Sequence, residues 1–170
     1  MTKEIEALSN SFDLQSKVWI YTSDRVFTND ESMAISNQLA LFSSQWTSHG
    51  AKVKGKAILL HNRFIIFIAD ENACGVGGCS IDKTVAVIRE IAQQYQVDLF
   101  NRFLISYRNE EQIITCGLAQ FKELLASKKI AEQVIVFNTM VTHLQALLHW
   151  EQSYKQSPYT AIEAPVSFLL

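Results

Sequence analysis

FIIFIA, residues 64–69, is the longest clean apolar run of the chain. It is far too short to cross a bilayer, which takes about 20 apolar residues as a helix, and it is a strand ending in Asp70–Glu71. GKAILL (55–60) precedes it, with His61–Asn62 between the two runs. Residues 55–70 therefore predict a β-hairpin, since asparagine tolerates the turn conformation although the usual glycine is missing. Upstream, KVWIYTS (17–23) alternates and is aromatic and β-branched, the pattern of another strand.

Helical spacing fills the gaps between these strands. TNDES (28–32) is rich in capping residue types, and Ile35, Leu39, Phe42 and Trp46 then recur on one helical face. That helix is expected to end near His49–Gly50, with Gly50 as its left-handed stop. Ile81, Val85, Ile88, Ala92 and Tyr95 mark a second helix. FNRFLISYR (100–108) and QIITC (112–116) flank NEE as a second hairpin, and LAQFKELLASKK (118–129) is an amphipathic helix. QVIVFN (133–138) reads as a short strand or a lead-in to a helix over TMVTHLQALLHWEQ (139–152). The tail, SPYTAIEAPVSFLL, holds both prolines and is expected to be extended or irregular. The order is β-α-β-β-α-β followed by a C-terminal β-α-α extension. It predicts an α+β fold of ferredoxin-like order, an antiparallel or mixed sheet with helices on one face. Residues 1–16 are expected to form a polar N-terminal segment and 17–170 a single domain.

Charge and cysteine content narrow the partners. Among 170 residues, 48% are hydrophobic and 19% charged, the balance of a folded chain able to bury a core without metal or disulfide staples. The formal net charge is −2, which gives no electrostatic reason to expect nucleic acid or an anionic membrane as partner. MTKEIEALSNSFDLQ at the start has no apolar core of a secretory signal. With an odd cysteine set, Cys74, Cys79 and Cys116, a cytoplasmic protein with reduced thiols is expected.

The chemistry concentrates in GVGGCSIDKT, residues 75–84. Read as a phosphate loop, Gly77 to Thr84 matches G-x-x-x-x-G-K-[ST] except that Asp82 replaces the second glycine. An aspartate there puts a Cβ and a negative charge where phosphates approach the backbone. A weaker anion site remains: Gly75, Gly77 and Gly78 lead into a helix whose free N–H groups and dipole attract anions, with Lys83 as an added donor. Binding residues on this reading are Gly77, Gly78, Ser80 and Lys83. A third reading makes Cys79 a catalytic thiol, its pKa lowered by the helix start and a histidine (His49, His61, His143 or His149) acting as base. The remaining reading is structural, with Ser80 as cap, Asp82 at the positive helix end and Cys79 as a small buried side chain. Cys74 and Cys79 lack the second paired cluster of a closed zinc site, and no metal or cofactor is expected there.

Elsewhere, Asp70, Glu71 and Asp82 are weighed as a Mg²⁺ cluster against a solvated strand end. His49 in a last helical turn complements the dipole, and Trp46 and Trp150 are expected in the core. Arg63 and Arg102, each in an NRF triplet, are expected at one sheet edge, pairing with Asp70 or Asp98.

On GCSIDK (78–83), the NRF triplets, W..HG (46–50) and VFN (136–138), the sequence resembles a family of short uncharacterised bacterial proteins often labelled "ABC transporter ATPase". The resemblance runs from about Trp19 to Trp150 and is densest in GCSIDK. It implies no catalytic residue. The chain has no LSGGQ-type signature, and its Walker-B-like FIIFIADE precedes the imperfect Walker A, the reverse of the order in an ABC nucleotide domain.

Three functions follow as expectations. The first is a binding or interaction module with a small-anion or phosphate-ester site at the Gly75–Lys83 loop. The second is a thiol-dependent enzyme using Cys79. The third is an interaction protein whose apolar tail APVSFLL docks on a partner or on a second copy, giving a homo-oligomer.

Overall fold

The computed structural model describes residues 2–70 and 78–162, with side chains at 2–70 and 81–162. The fold mixes helices with antiparallel strands in alternation, broadly as in a ferredoxin-like arrangement. The chain forms two compact units, Met1–Phe100 with Thr139–His149 and Asn101–Asn138 with Trp150–Leu170.

In the first unit, α1 (Lys3–Ser9) precedes β1 (Lys17–Thr22). After α2 (Asn29–Gln45) comes a two-stranded ribbon of β2 (Thr47–Ser48) and β3 (Ala51–Lys52). β4 (Gly55–Leu60) and β5 (Phe64–Ala69) follow, then α3 (Gly78–Tyr95). The main sheet has the order β1-β5-β4, antiparallel throughout. Every residue of β5 is buried, because it is the central strand and both of its faces are covered. Ile65, Phe67 and Ala69 join Ile35 and Leu39 of α2 and Ile88 and Ile91 of α3 in one core. Their alternates Phe64, Ile66 and Ile68 are at most 1% exposed, so side chains on both faces of this strand are covered.

Local chemistry sets the ends of these elements. Thr28 caps α2 through a full capping box, accepting from Glu31 N while the Glu31 carboxylate accepts from Thr28 N. α2 stops at Gln45, earlier than expected, because Trp46 turns extended and its carbonyl accepts from Val53 N. His49 and Gly50, both at positive φ (48° and 83°), form the tight turn between β2 and β3 instead of a helix stop. The predicted turn at His61–Asn62 is present, with φ of 52° and 51° and Arg63 N bonded to Leu60 O. Gly55 lies against the Trp46 ring, where an added Cβ would stand 2.6 Å from Trp46 Cζ3.

The second unit holds β6 (Leu104–Asn109), β7 (Gln112–Gly117), α4 (Leu118–Ala126), β8 (Ile135–Phe137) and β9 (Glu151–Ser153), in a sheet of order β7-β6-β8-β9. The strand that would close β-α-β-β-α-β thus pairs in this sheet and not beside β1. The expected helix over 139–152, and with it the β-α-α extension, is also corrected. Only α5 (Leu144–Leu147) is helical there, because Thr142 O accepts from Val18 N, Leu144 N donates to Ser16 O, and residues 151–153 pair with β8. Residues 1–16, expected to be merely polar, include α1, which buries Ile5 and Leu8.

Candidate functional site

The loop singled out by sequence joins β5 to α3. Gly75, Gly77, Cys74 and Glu71 lie outside the described residues, as does the tail segment 163–170. α3 spans 18 residues beginning at Gly78, so the backbone of Cys79 and Ser80 already belongs to its first turn. Ser80 thus sits inside the helix and not at the position ahead of it where a cap stands.

Lys83 reaches sideways to the β2–β3 ribbon, its Nζ donating to Thr47 O at 2.9 Å and to Thr47 Oγ1 at 2.6 Å. Thr47 is also the register partner of Lys52. An exposed ammonium is thereby tethered to the flank of the N-terminal turns of α3, with a second lysine across the ribbon. At the strand end, Asp70 is 6% exposed and bonded to Lys54, Nζ to Oδ2 at 2.8 Å, while its N–H donates to Lys54 O. Lys54 also lies over the Phe12 ring at 5.8 Å. The aspartate thus already has a cation, which argues against its use in a Mg²⁺ cluster with Asp82. Among the described residues no group of three or more His, Cys, Asp and Glu is placed to hold a metal ion.

The other candidates occupy several different elements. Arg63 precedes β5 while Asp70 follows it, so the two stand at opposite ends of one strand and do not pair. Arg102 belongs to the second unit and Arg63 to the first. His61 sits in the β4–β5 turn, at the end of β5 remote from Asp70, and packs edge-on to Phe64 at 6.2 Å. His49 is in the β2–β3 turn, and His143 Nδ1 meets Thr142 Oγ1 at 3.0 Å. Cys116, the cysteine whose side chain is described, is half-buried on β7, and burial pushes its thiol pKa up, the opposite of activation. Trp46 and Trp150 are core residues, each 1% exposed.

Two features escaped sequence reasoning. The Lys83–Thr47 tether joins residues 36 apart, and no local pattern encodes it. The ion pair of Arg25 with Glu31, two 2.8 Å bonds, fixes the loop before α2, and Arg25 also donates to Tyr95 O. The Arg25 guanidinium and the Thr28 N–H together pull the Glu31 carboxyl down to about 2. An arginine six residues ahead of a capping-box glutamate was the available signal.

The chain matches no family model, no curated protein and no solved structure. No helix among the described residues is long and apolar enough to cross a membrane.

Proposed function

We propose that this α+β protein is a binding module whose site lies over the N-terminal turns of α3 and takes a small anion or a phosphate ester. The observation that carries the reading is the placement of Lys83. Its ammonium has three donors, two of which are held by Thr47, so the charge is fixed beside the helix start with one donor left for a ligand. The first turn of an 18-residue helix supplies N–H groups without intrahelical partners, and the helix dipole adds to their attraction for an anion. Gly77 and Gly78, which carry no Cβ, and the hydroxyl residue Ser80 are the further binding candidates that the sequence offers here. Asp82 opposes a highly charged ligand, which favours a monoanion or a phosphate ester over a nucleotide triphosphate.

The test is calorimetric titration of the full chain with inorganic phosphate and with a simple phosphate monoester. Saturable binding that is lost in Gly78→Val and weakened in Lys83→Met supports the reading. Heat that never saturates, or binding indifferent to both substitutions, overturns it. Cys79→Ser separates this site from the thiol enzyme, since a binding module keeps its affinity in that variant.

A further inference from the structure

We propose that Arg63 is the recognition residue of a second oxyanion site, at the hairpin end of the first sheet, for a carboxylate or a phosphate group that presents two adjacent oxygens. Arg63 is 6% exposed, a degree of burial rare for an arginine without a paired acid. A guanidinium carries five N–H donors in a rigid fork, and here one hydrogen bond uses it, Nη1 to Ser23 O at 3.1 Å. Among the described residues it makes no ion pair with a carboxylate. The 6% of its surface that stays exposed leaves the side chain a route to solvent.

Arg25, two residues beyond Ser23, shows what a satisfied arginine looks like in the same region. It grips both oxygens of Glu31 and the carbonyl of Tyr95. The acid facing Arg63 is Asp24, which acts on it only through its field and uses Oδ1 to accept from Asp98 N. Burial pushes the Arg63 pKa down, as expected of a cation poor in counter-charge, while Asp24 partly restores it.

The surrounding backbone donors are already spent. Ser23 N bonds Arg63 O, Asp24 N bonds Asp98 O, and Phe27 N bonds Asn62 O. A ligand here is therefore held by the guanidinium fork itself, which fits two oxygens in one plane better than a compact halide. A buried cation lacking its acid is costly to keep, and an anion arriving from solution meets that need.

The experiment follows the Arg63 Nε–Hε NMR signal of the full chain during titration with acetate, with inorganic phosphate, and with chloride at matched ionic strength. A saturable shift with acetate alone assigns a carboxylate ligand. Saturation with phosphate alone assigns a phosphate ligand, and saturation with both assigns the general oxyanion. In Arg63→Gln the affinity falls about tenfold or more, the factor carried by a lost charge-assisted pair. Asp24→Asn keeps the acceptor for Asp98 N, removes the competing charge and tightens binding about threefold. This variant and the wild-type signal decide the matter even where Arg63→Gln fails to fold. Absence of a saturable shift with acetate or phosphate, a response to chloride equal to theirs, or an affinity unchanged in Asp24→Asn overturns the site. Gly78→Val leaves the Arg63 response intact, which keeps this site distinct from the one over α3.

Discussion

The two sheets hold together in different ways. In the first, β5 pairs along its whole length with both neighbours, from Phe64 to Ala69, and all six of its side chains are buried. In the second, β6 pairs fully with β7 but meets β8 at the single register Tyr107↔Val136, and β8 and β9 have three residues each. What the short strands lack is supplied by side chains. Arg108 bonds Glu151 at 2.7 Å and lies over the Phe137 ring at 5.2 Å, while the Tyr159 hydroxyl donates to Phe137 O at 3.1 Å. One sheet rests on a continuous apolar strand, and the other adds long-range polar anchors to a smaller apolar core of Ile105, Leu118, Phe121 and Val136. Continuity of burial is readable in one stretch of sequence. Anchors between residues such as 108 and 151 are not.

Substitutions sharpen that contrast. Phe67→Ala should cost most, about 3–5 kcal/mol in urea unfolding, since it empties the meeting point of Tyr21, Phe42 and Trp46. Gly55→Val follows at about 1–3 kcal/mol, because its Cβ would overlap Trp46 and the carbonyl of Ile68. In the second unit, Tyr159→Phe should cost about 1 kcal/mol, the worth of one buried hydrogen bond. A loss there as large as that of Phe67→Ala would break the comparison, making the anchors the stronger device.

The smallest expected effect concerns pH. The Glu31 carboxyl is lowered from 4.5 to about 2 by Arg25 and the Thr28 amide. Its contribution is present above the unfolded value and is lost as pH falls from about 4.5 through about 2. Glu31→Gln should flatten this part of the acid-unfolding profile and leave stability at neutral pH only slightly lower. An acid limb that keeps its slope in the variant would remove Glu31 as its source.

The strands around 55–70 and 104–117 were legible because alternation, apolar runs and turn residues all agree there. The core stripe Ile35, Leu39 and Trp46 was legible for the same reason, and Trp46 kept its place in the core although its backbone left the helix. Residues 139–143 read as helix because Val141, Leu144 and Leu147 have helical spacing. A backbone bond from Val18 to Thr142, more than 120 positions away in sequence, outweighed that local preference. For α1, two apolar residues in a polar stretch gave too weak a signal. At the candidate site, sequence supplied the helix start and Lys83 but not the threonine that holds the ammonium. The burial of Arg63 was invisible, since NRF reads the same whether its arginine is exposed or enclosed.

The return of the chain to the first unit has a consequence for how the protein is made. Residues 142–144 add their backbone bonds to β1 beside Lys17 and Val18, yet the whole second-unit hairpin and α4 are synthesised between them. During translation the first hundred residues emerge without the segment that completes their edge. β1 must wait until about forty further residues have left the ribosome, roughly two to eight seconds at ordinary elongation rates of about 5–20 residues per second. For that interval the nascent chain presents an unfinished strand edge to its surroundings.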